Sequence, residues 1–418
     1  MGPITLFDKS FLQSLSVDES VWFDHFFLTV VPPYFYVETL ADLGKKVRPG
    51  RTPEQEVRII ADKFPEIHGT PCAFHVNLAL ENLEGYPVPM TGQIPMAGGR
   101  RVKSKDQKAV VWERSPEAKA FMRWQEGDFL DVERSFAQQW RQALTTFPIE
   151  NLEGTLKAVG IGVQSARTLV EAAAVADGII SDTANSARLI ALALRFLGAS
   201  SRRRAFVLWQ WSSAEYPTIG TYAPYAAFVL KVELFFQVAV SAGIISSARP
   251  SNRTDIAYLF YLPFSMLFVS SDRLHAKCAP LFLRPDQSFV WGGDLKKDLT
   301  QLNQHYSQLP DEVKEKGVFA LVDTPPKDGD FLVARLWDKH LRPWRNRPEI
   351  PLQHQSRDGH EFQAELIQKI NEIADAPDIP PAQSNFNSDE ADAVLLKRHV
   401  RCKKGSWWQM PKDVKAKA

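Results

Sequence analysis

The chain has 418 residues, with 50 Lys and Arg against 49 Asp and Glu, a formal net charge of +1 and a pI near 7.7. That balance excludes a global pull toward nucleic acid, so any such binding must come from local patches. Three cysteines, Cys72, Cys278 and Cys402, are too few for a disulfide framework or a four-thiolate zinc site.

The length allows two or three structural parts. No basic region precedes the first apolar segment, so no signal peptide is expected, and a cytoplasmic location is the default. The most apolar span, residues 222–245, carries Lys231, Glu233 and Gln237. Charges at a membrane centre cost about 2.5 to 3.5 kcal/mol each, so a buried core helix is expected there, with no membrane partner.

In chain order, ITLFD at 4–8 reads as an apolar strand ending in an acid, followed by a short helix. SVDESVWFDHFF continues with helical period, and Ser16 with Glu19 three residues on forms a capping box. Residues 27–31 read as a second strand, ended by Pro32 and Pro33, with Pro33 at the first position of helix YFYVETLADL. Strand, helix, helix, strand, helix is the opening of a parallel α/β sheet. Residues 51–85 read as two helices, 86–112 as loop and 115–147 as one long amphipathic helical stretch. More helices follow to about residue 245.

Residues 254–283, TDIAYLFYLPFSMLFVSSDRLHAKCAPLFL, carry two acids in informative places. Thr254 is positioned to cap a helix that Asp255 opens, and Pro263 is expected to stop it. The run MLFV reads as a buried parallel strand with Asp272 just beyond its end. Ligands of open α/β sheets gather at the carboxyl ends of the strands. The competing reading makes Asp255 a helix-dipole charge and Asp272 a turn residue. Further on, 289–291 and GVFALVD at 317–323 read as strands, with a helix over 294–309 between them. Residues 397–418 form a basic tail with paired tryptophans.

Asp8, Glu38, Asp255 and Asp272 can converge at one sheet lip if their strands are neighbours. Clustered carboxylates raise one another's pKa, and hard divalent cations with oxygen preference, Mg2+ or Mn2+, relieve that repulsion. The segments LFDKSFLQSL, YVETLADL and DIAYLFYLPFSMLFVSSDRLH resemble the signature blocks of PIN-like domains, a family of metal-dependent nucleases. An acid after the first strand with a hydroxyl two residues on corresponds to Asp8 and Ser10, and a Glu on the helix after the second strand to Glu38. An Asp opening a helix and a later Ser-x-Asp after a strand correspond to Asp255, Ser270 and Asp272.

The resemblance covers residues 3–45 and 250–285. It implies a three-layer α/β/α fold around a central parallel sheet, with the core in 1–46 and 248–340. A large all-α insertion would occupy 47–247, where typical members are far shorter, and a C-terminal extension 341–418. It further implies hydrolysis of a nucleic-acid phosphodiester, RNA favoured over DNA, in the manner of an endoribonuclease leaving a 5′-phosphate. Asp8, Glu38, Asp255 and Asp272 would hold Mg2+ or Mn2+, which activates water. Ser10 and Ser270 would orient the carboxylates, and Arg273 and Lys277 would meet the phosphate, unless they are ordinary helix-surface cations. Two alternatives stay open: a catalytically silent scaffold for nucleic acid or protein, and a metal-dependent phosphatase. A regulatory protein partner is compatible with each.

Asp18, Asp24, Asp42, Asp294 and Asp298 read as solvated surface charges, with Asp294 a reserve ligand after its Gly-Gly turn. Gly160 and Gly162, in a segment at 156–173 that resembles a helix-hairpin-helix module, can offer backbone N–H groups to a phosphate. Arg202, Arg203 and Arg204, and the basic run at 100–108, can contact phosphates without reading sequence. Trp407 and Trp408 either stack on bases of a single strand or dock on the body. His68, Cys72 and His75 have spacings that suit one helix face, but no second cluster accompanies them for zinc.

Overall fold

The structure, a computed structural model, describes residues 2–45, 49–96, 100–103, 108–111, 116–146, 166–249, 251–346, 372–373, 376–378 and 401–412. The first strand, β1 (Ile4–Phe7), runs into helix α1 (Lys9–Ser14), with Asp8 as its N-cap. Helix α2 (Val17–Phe26) opens on the expected capping box, Ser16 accepting from Glu19 N while Glu19 accepts from Ser16 N. Ser16→Ala is therefore expected to cost about 1 kcal/mol, measurable as a lower urea midpoint. Strand β2 (Leu28–Val31) leads to helix α3 (Pro33–Leu40), with Pro33 in its first turn, where a missing N–H costs nothing.

The chain then departs from expectation. Helix α4 (Pro53–Lys63) is followed by a short strand, β3 (Gly69–Pro71), before helix α5 (His75–Leu83). The strand contains no apolar run, so nothing in its composition announces it. It separates His68 and Cys72 from the helix that begins at His75, and the three do not share a helix face. Strands β4 (Arg100–Lys103) and β5 (Lys108–Val111) pair as an antiparallel hairpin. The helical stretch at 115–147 is two helices, Pro116–Glu126 and Asp131–Thr146, parted at Gly127, whose φ is 81°.

The last sheet strands are β6 (Leu267–Ser270) and β7 (Ser288–Trp291). The sheet order is β3-β2-β1-β6-β7 with every pairing parallel. Because side chains alternate across a strand, the register settles which layer each faces. Leu6, Val30 and Phe268 are aligned and point into one core with helix α5 and the helix Pro224–Ser241. Phe7, Val31 and Val269 point into the other, with α2 and the helices Gly292–Ser307 and Leu332–His340. The protein is thus an α/β fold with helices on both faces of a parallel sheet. Helices from the segment read as an insertion supply much of one layer.

Helix Pro224–Ser241 is long and apolar enough to cross a membrane by length and composition, yet 67% of its apolar window is buried inside the protein. Its apolarity serves the core. Residues 318–321 form a helix, Val318–Leu321, not the expected strand. Gly317 enters it at a φ of 85°, and a Cβ there would lie 2.9 Å from the backbone of Met410. The C-terminal segment packs against this turn, with Lys412 N donating to Glu315 O at 2.9 Å.

That segment docks on the body. Trp407 is 2% exposed, meets Trp22 edge-on at 4.7 Å and donates from Nε1 to Asn303 Oδ1 at 2.7 Å. Trp408 lies under Lys403. Base stacking by Trp407 is therefore excluded by its burial. Gly160, Gly162 and residues 104–107 of the basic run lie outside the described residues.

Candidate functional site at the carboxyl ends of the strands

Strands β1 and β6 are central neighbours, and both end at the same lip. Asp8 follows β1, and its backbone N–H donates to Val269 O at 3.3 Å, so the acid is tied to the end of β6. Asp8 is 3% exposed, and its carboxylate is well supplied with donors. Oδ1 accepts from Phe11 N at 2.9 Å, and Oδ2 from Ser10 Oγ at 2.6 Å and Ser270 Oγ at 2.8 Å. Both serines thus orient the acid that the sequence pairs them with. Ser270 Oγ also accepts from Asp272 N at 2.9 Å, while its own bond to Asp8 joins the ends of β1 and β6.

A histidine absent from the predicted acid set takes part as well. His275, 1% exposed, puts Nδ1 2.8 Å from Ser270 Oγ and 3.5 Å from Asp8 Oδ2, and donates from Nε2 to the carbonyl of Asp255 at 2.7 Å. Burial opposes its charge, but the contact with Asp8 and the charges of Asp8 and Asp255 push its pKa up to about 9. At neutral pH it is an imidazolium with both N–H groups engaged. Burial likewise opposes ionisation of Asp8, while His275, Ser10 and Phe11 hold its carboxyl below the ordinary value. The signal available in the sequence was spacing: His275 follows the capping Asp272 by three residues, which turns it back toward the strand end.

Asp272 caps helix Arg273–Cys278, its Oδ1 accepting from Leu274 N at 2.5 Å and His275 N at 3.3 Å. Asp255 arrives differently from the expectation. The helix runs over Ser251–Ala257, so Thr254 and Asp255 are in its interior and Thr254 is buried rather than capping. It tightens into a 3-10 turn, Tyr258–Phe264, that contains Pro263. The shift still delivers Asp255 to the lip, half-buried, with no side-chain hydrogen bond among the described residues. Burial, then the charges of Glu38, Asp272 and Asp8, push its pKa up to about 7 against the opposing pull of His275.

Glu38, one turn into α3, completes the group. Tyr258 donates its hydroxyl to Glu38 Oε2 at 2.7 Å, and Lys9 Nζ stands 3.6 Å from Oε1. Lys9 is buried and also bonds Asp42 at 3.0 Å; despite burial, the two acids raise its pKa. Gly292, at the end of β7, lets the next helix close over this lip: a Cβ there would fall 2.2 Å from Ser271 Oγ.

Arg273 and Lys277 are exposed beside Asp272 and make no ion pair among the described residues. Of the acids read as surface charges, Asp24, Asp42 and Asp298 are buried. Asp24 accepts from Glu66, Ile67 and His68 backbone N–H groups, and Asp298 from those of Leu332 and Val333. Both are internal caps, since a buried carboxylate is tolerable only when its oxygens are filled. Asp18 accepts from Ser406 N, and Asp294 is exposed in the first turn of its helix.

Among the described residues no three His, Cys, Asp or Glu side chains gather tightly enough to form a metal centre. In donor chemistry the group still suits a hard divalent cation, since Asp255 brings a carboxylate that bonds nothing and is repelled by three others. Asp272 keeps Oδ2 outside its capping bonds. Asp8 fits less well, with His275 already neutralising it. The class defined by fold and site is an α/β protein with carboxylates clustered at the switch between β1 and β6. Comparison with protein-family models, curated proteins and solved structures gave no match.

Proposed function

We propose that this chain is a PIN-like, metal-dependent nuclease that hydrolyses nucleic-acid phosphodiester bonds, with RNA as the favoured substrate. The observation that supports it is the carboxylate group itself. Asp8, Glu38, Asp255 and Asp272 come from far-separated segments, and burial, with the charges of the other three added to it, leaves Asp255 with a pKa of about 7. Proteins retain such repulsion chiefly where a cation or a reaction makes use of it. Asp255, Asp272 and Glu38 would hold the ion, with Asp8 lending the lone pairs left on its oxygens. Bound Mg2+ or Mn2+ would supply activated water and offset charge developing on the phosphate. Arg273 and Lys277 would receive the phosphate backbone, and Lys9 steadies Glu38 from within the core.

The filled oxygens and near-complete burial of Asp8 favour a second reading, a PIN-like scaffold that binds without cutting. A nuclease assay separates the two, comparing Mg2+ or Mn2+ with chelator on RNA and on a chromogenic phosphomonoester. The nuclease reading expects metal-dependent RNA cleavage that falls by at least about 100-fold in Asp272→Asn. Cleavage that ignores chelator, or that survives Asp255→Asn and Asp272→Asn alike, rules it out. Turnover of the monoester alone would select a phosphatase.

A further inference from the structure

The helix Ser201–Ser213, SRRRAFVLWQWSS, carries a surface that the acid cluster does not account for. Its inner side buries only Val207 and Trp211. At about 100° per residue, the direction opposite those two is occupied by Arg202, Phe206 and Trp209. All three are exposed, Phe206 at 45% and Trp209 at 64%. The two rings lie side by side with centroids 6.1 Å apart and planes tilted by 39°.

The other two arginines of the first turn are engaged elsewhere. Arg203 pairs with Glu84 at 2.9 Å, and Arg204 donates from Nε to the carbonyl of Ala199 at 2.8 Å. Arg202 makes no ion pair among the described residues. No acid stands in the first turn of this helix, so three consecutive cations meet the end of a helix dipole that disfavours them. Phe206 and Trp209 thus stand exposed on one side of the helix, and Arg202 stands one turn before Phe206.

We propose that this face binds single-stranded nucleic acid, with Phe206 and Trp209 stacking on unpaired bases and Arg202 meeting the adjoining phosphate. Charge and shape agree on that occupant. A polyanion answers the arginines, and stacking needs a flat π-face that base-paired strands keep hidden. Arginine beside exposed rings also suits an unpaired base better than a double helix, whose recognition runs through its grooves. The surface lies near the carboxyl-terminal end of helix α5, where Glu84 is, whereas the amino-terminal end of α5 follows the carboxyl end of β3. It therefore lies at the opposite end of α5 from the carboxyl end of β3. The claim does not depend on the nuclease reading, because binding here needs no cleavage.

The test is fluorescence anisotropy of labelled 20-nucleotide oligouridylate with the full chain, in chelator so that no cutting intervenes. Trp209→Ala and Phe206→Ala are each expected to weaken binding by about 5- to 100-fold. Arg202→Glu should weaken it and reduce the slope of log K against log salt by about one. Trp209→Phe should restore most of the affinity, and Trp209→Ala should keep the parent's urea midpoint, since the side chain is 64% exposed. An RNA duplex of equal length should bind distinctly more weakly. Unchanged affinity in both aromatic variants, equal binding of the duplex, no binding by the parent protein, or binding only to phosphatidylserine vesicles would each overturn the proposal.

Discussion

Metal-free protein carrying Asp255→Asn is expected to be more stable than the parent at pH 8, by about 2 to 4 kcal/mol. Asp255 titrates near 7 when folded against an ordinary value of 3.8, about three units at 1.36 kcal/mol each. Partial solvent exposure reduces that total. An acid whose pKa is raised by folding helps the folded state only while protonated. Its contribution is complete below about pH 4 and is lost as pH rises through 7. Asparagine keeps the shape and never ionises, so the two proteins should unfold at similar urea concentrations at pH 3.5 and diverge by pH 8. Magnesium or manganese should close the gap by stabilising the parent, about 2.7 kcal/mol at one hundred times the dissociation constant. A variant less stable than the parent in chelator at pH 8 would mean that Asp255 has a favourable partner. A gap that divalent ions leave untouched would favour the scaffold reading.

Much of this lip was legible in the sequence because its parts are local. Asp8 and Asp272 each follow a short apolar strand and cap the next helix, a pattern written within a few consecutive residues. The same holds for Ser16 with Glu19 and for Pro33. Strand β3 was not legible because it has no apolar side chains of its own to show a period; Thr29, Val30 and Val31 of β2 give it its place through backbone pairing. The run at 317–323 is apolar enough for a strand, yet it forms a helical turn that packs against a segment some ninety residues later. Burial of Asp24 and Asp298 was equally hidden, since their partners are backbone N–H groups of a distant loop and of a distant helix's first turn. His275 was missed for a related reason: its role depends on Ser270 and Asp8 meeting across the sheet, and no single segment contains both ends of that contact.

His275→Gln is expected to cost about 3 to 5 kcal/mol at pH 6, because it leaves the Asp8 carboxylate buried without its counter-charge. The pH dependence distinguishes this from lost packing. His275 titrates near 9 in the fold against an ordinary 6.5, so its charge contributes about 3 kcal/mol. A base whose pKa is raised by folding gives that contribution fully below about 6.5 and loses it as pH rises through 9. Asp8, whose pKa is lowered, gives its share above 3.8 and loses it as acid protonates it through its lower folded value. The pair is therefore fully effective between about pH 4 and 6.5. Parent and variant should differ most in that window and approach each other by pH 9.5. The double variant Asp8→Asn, His275→Gln removes both charges and should recover much of the loss, since neither group is left buried and unpaired. A parent–variant difference that stays constant from pH 6 to 9.5 would assign His275 a packing role, with Asp8 neutralised by its hydroxyl and backbone donors alone. In that case Asp8 would be a freer carboxylate than the geometry indicates, and a better ligand for the ion.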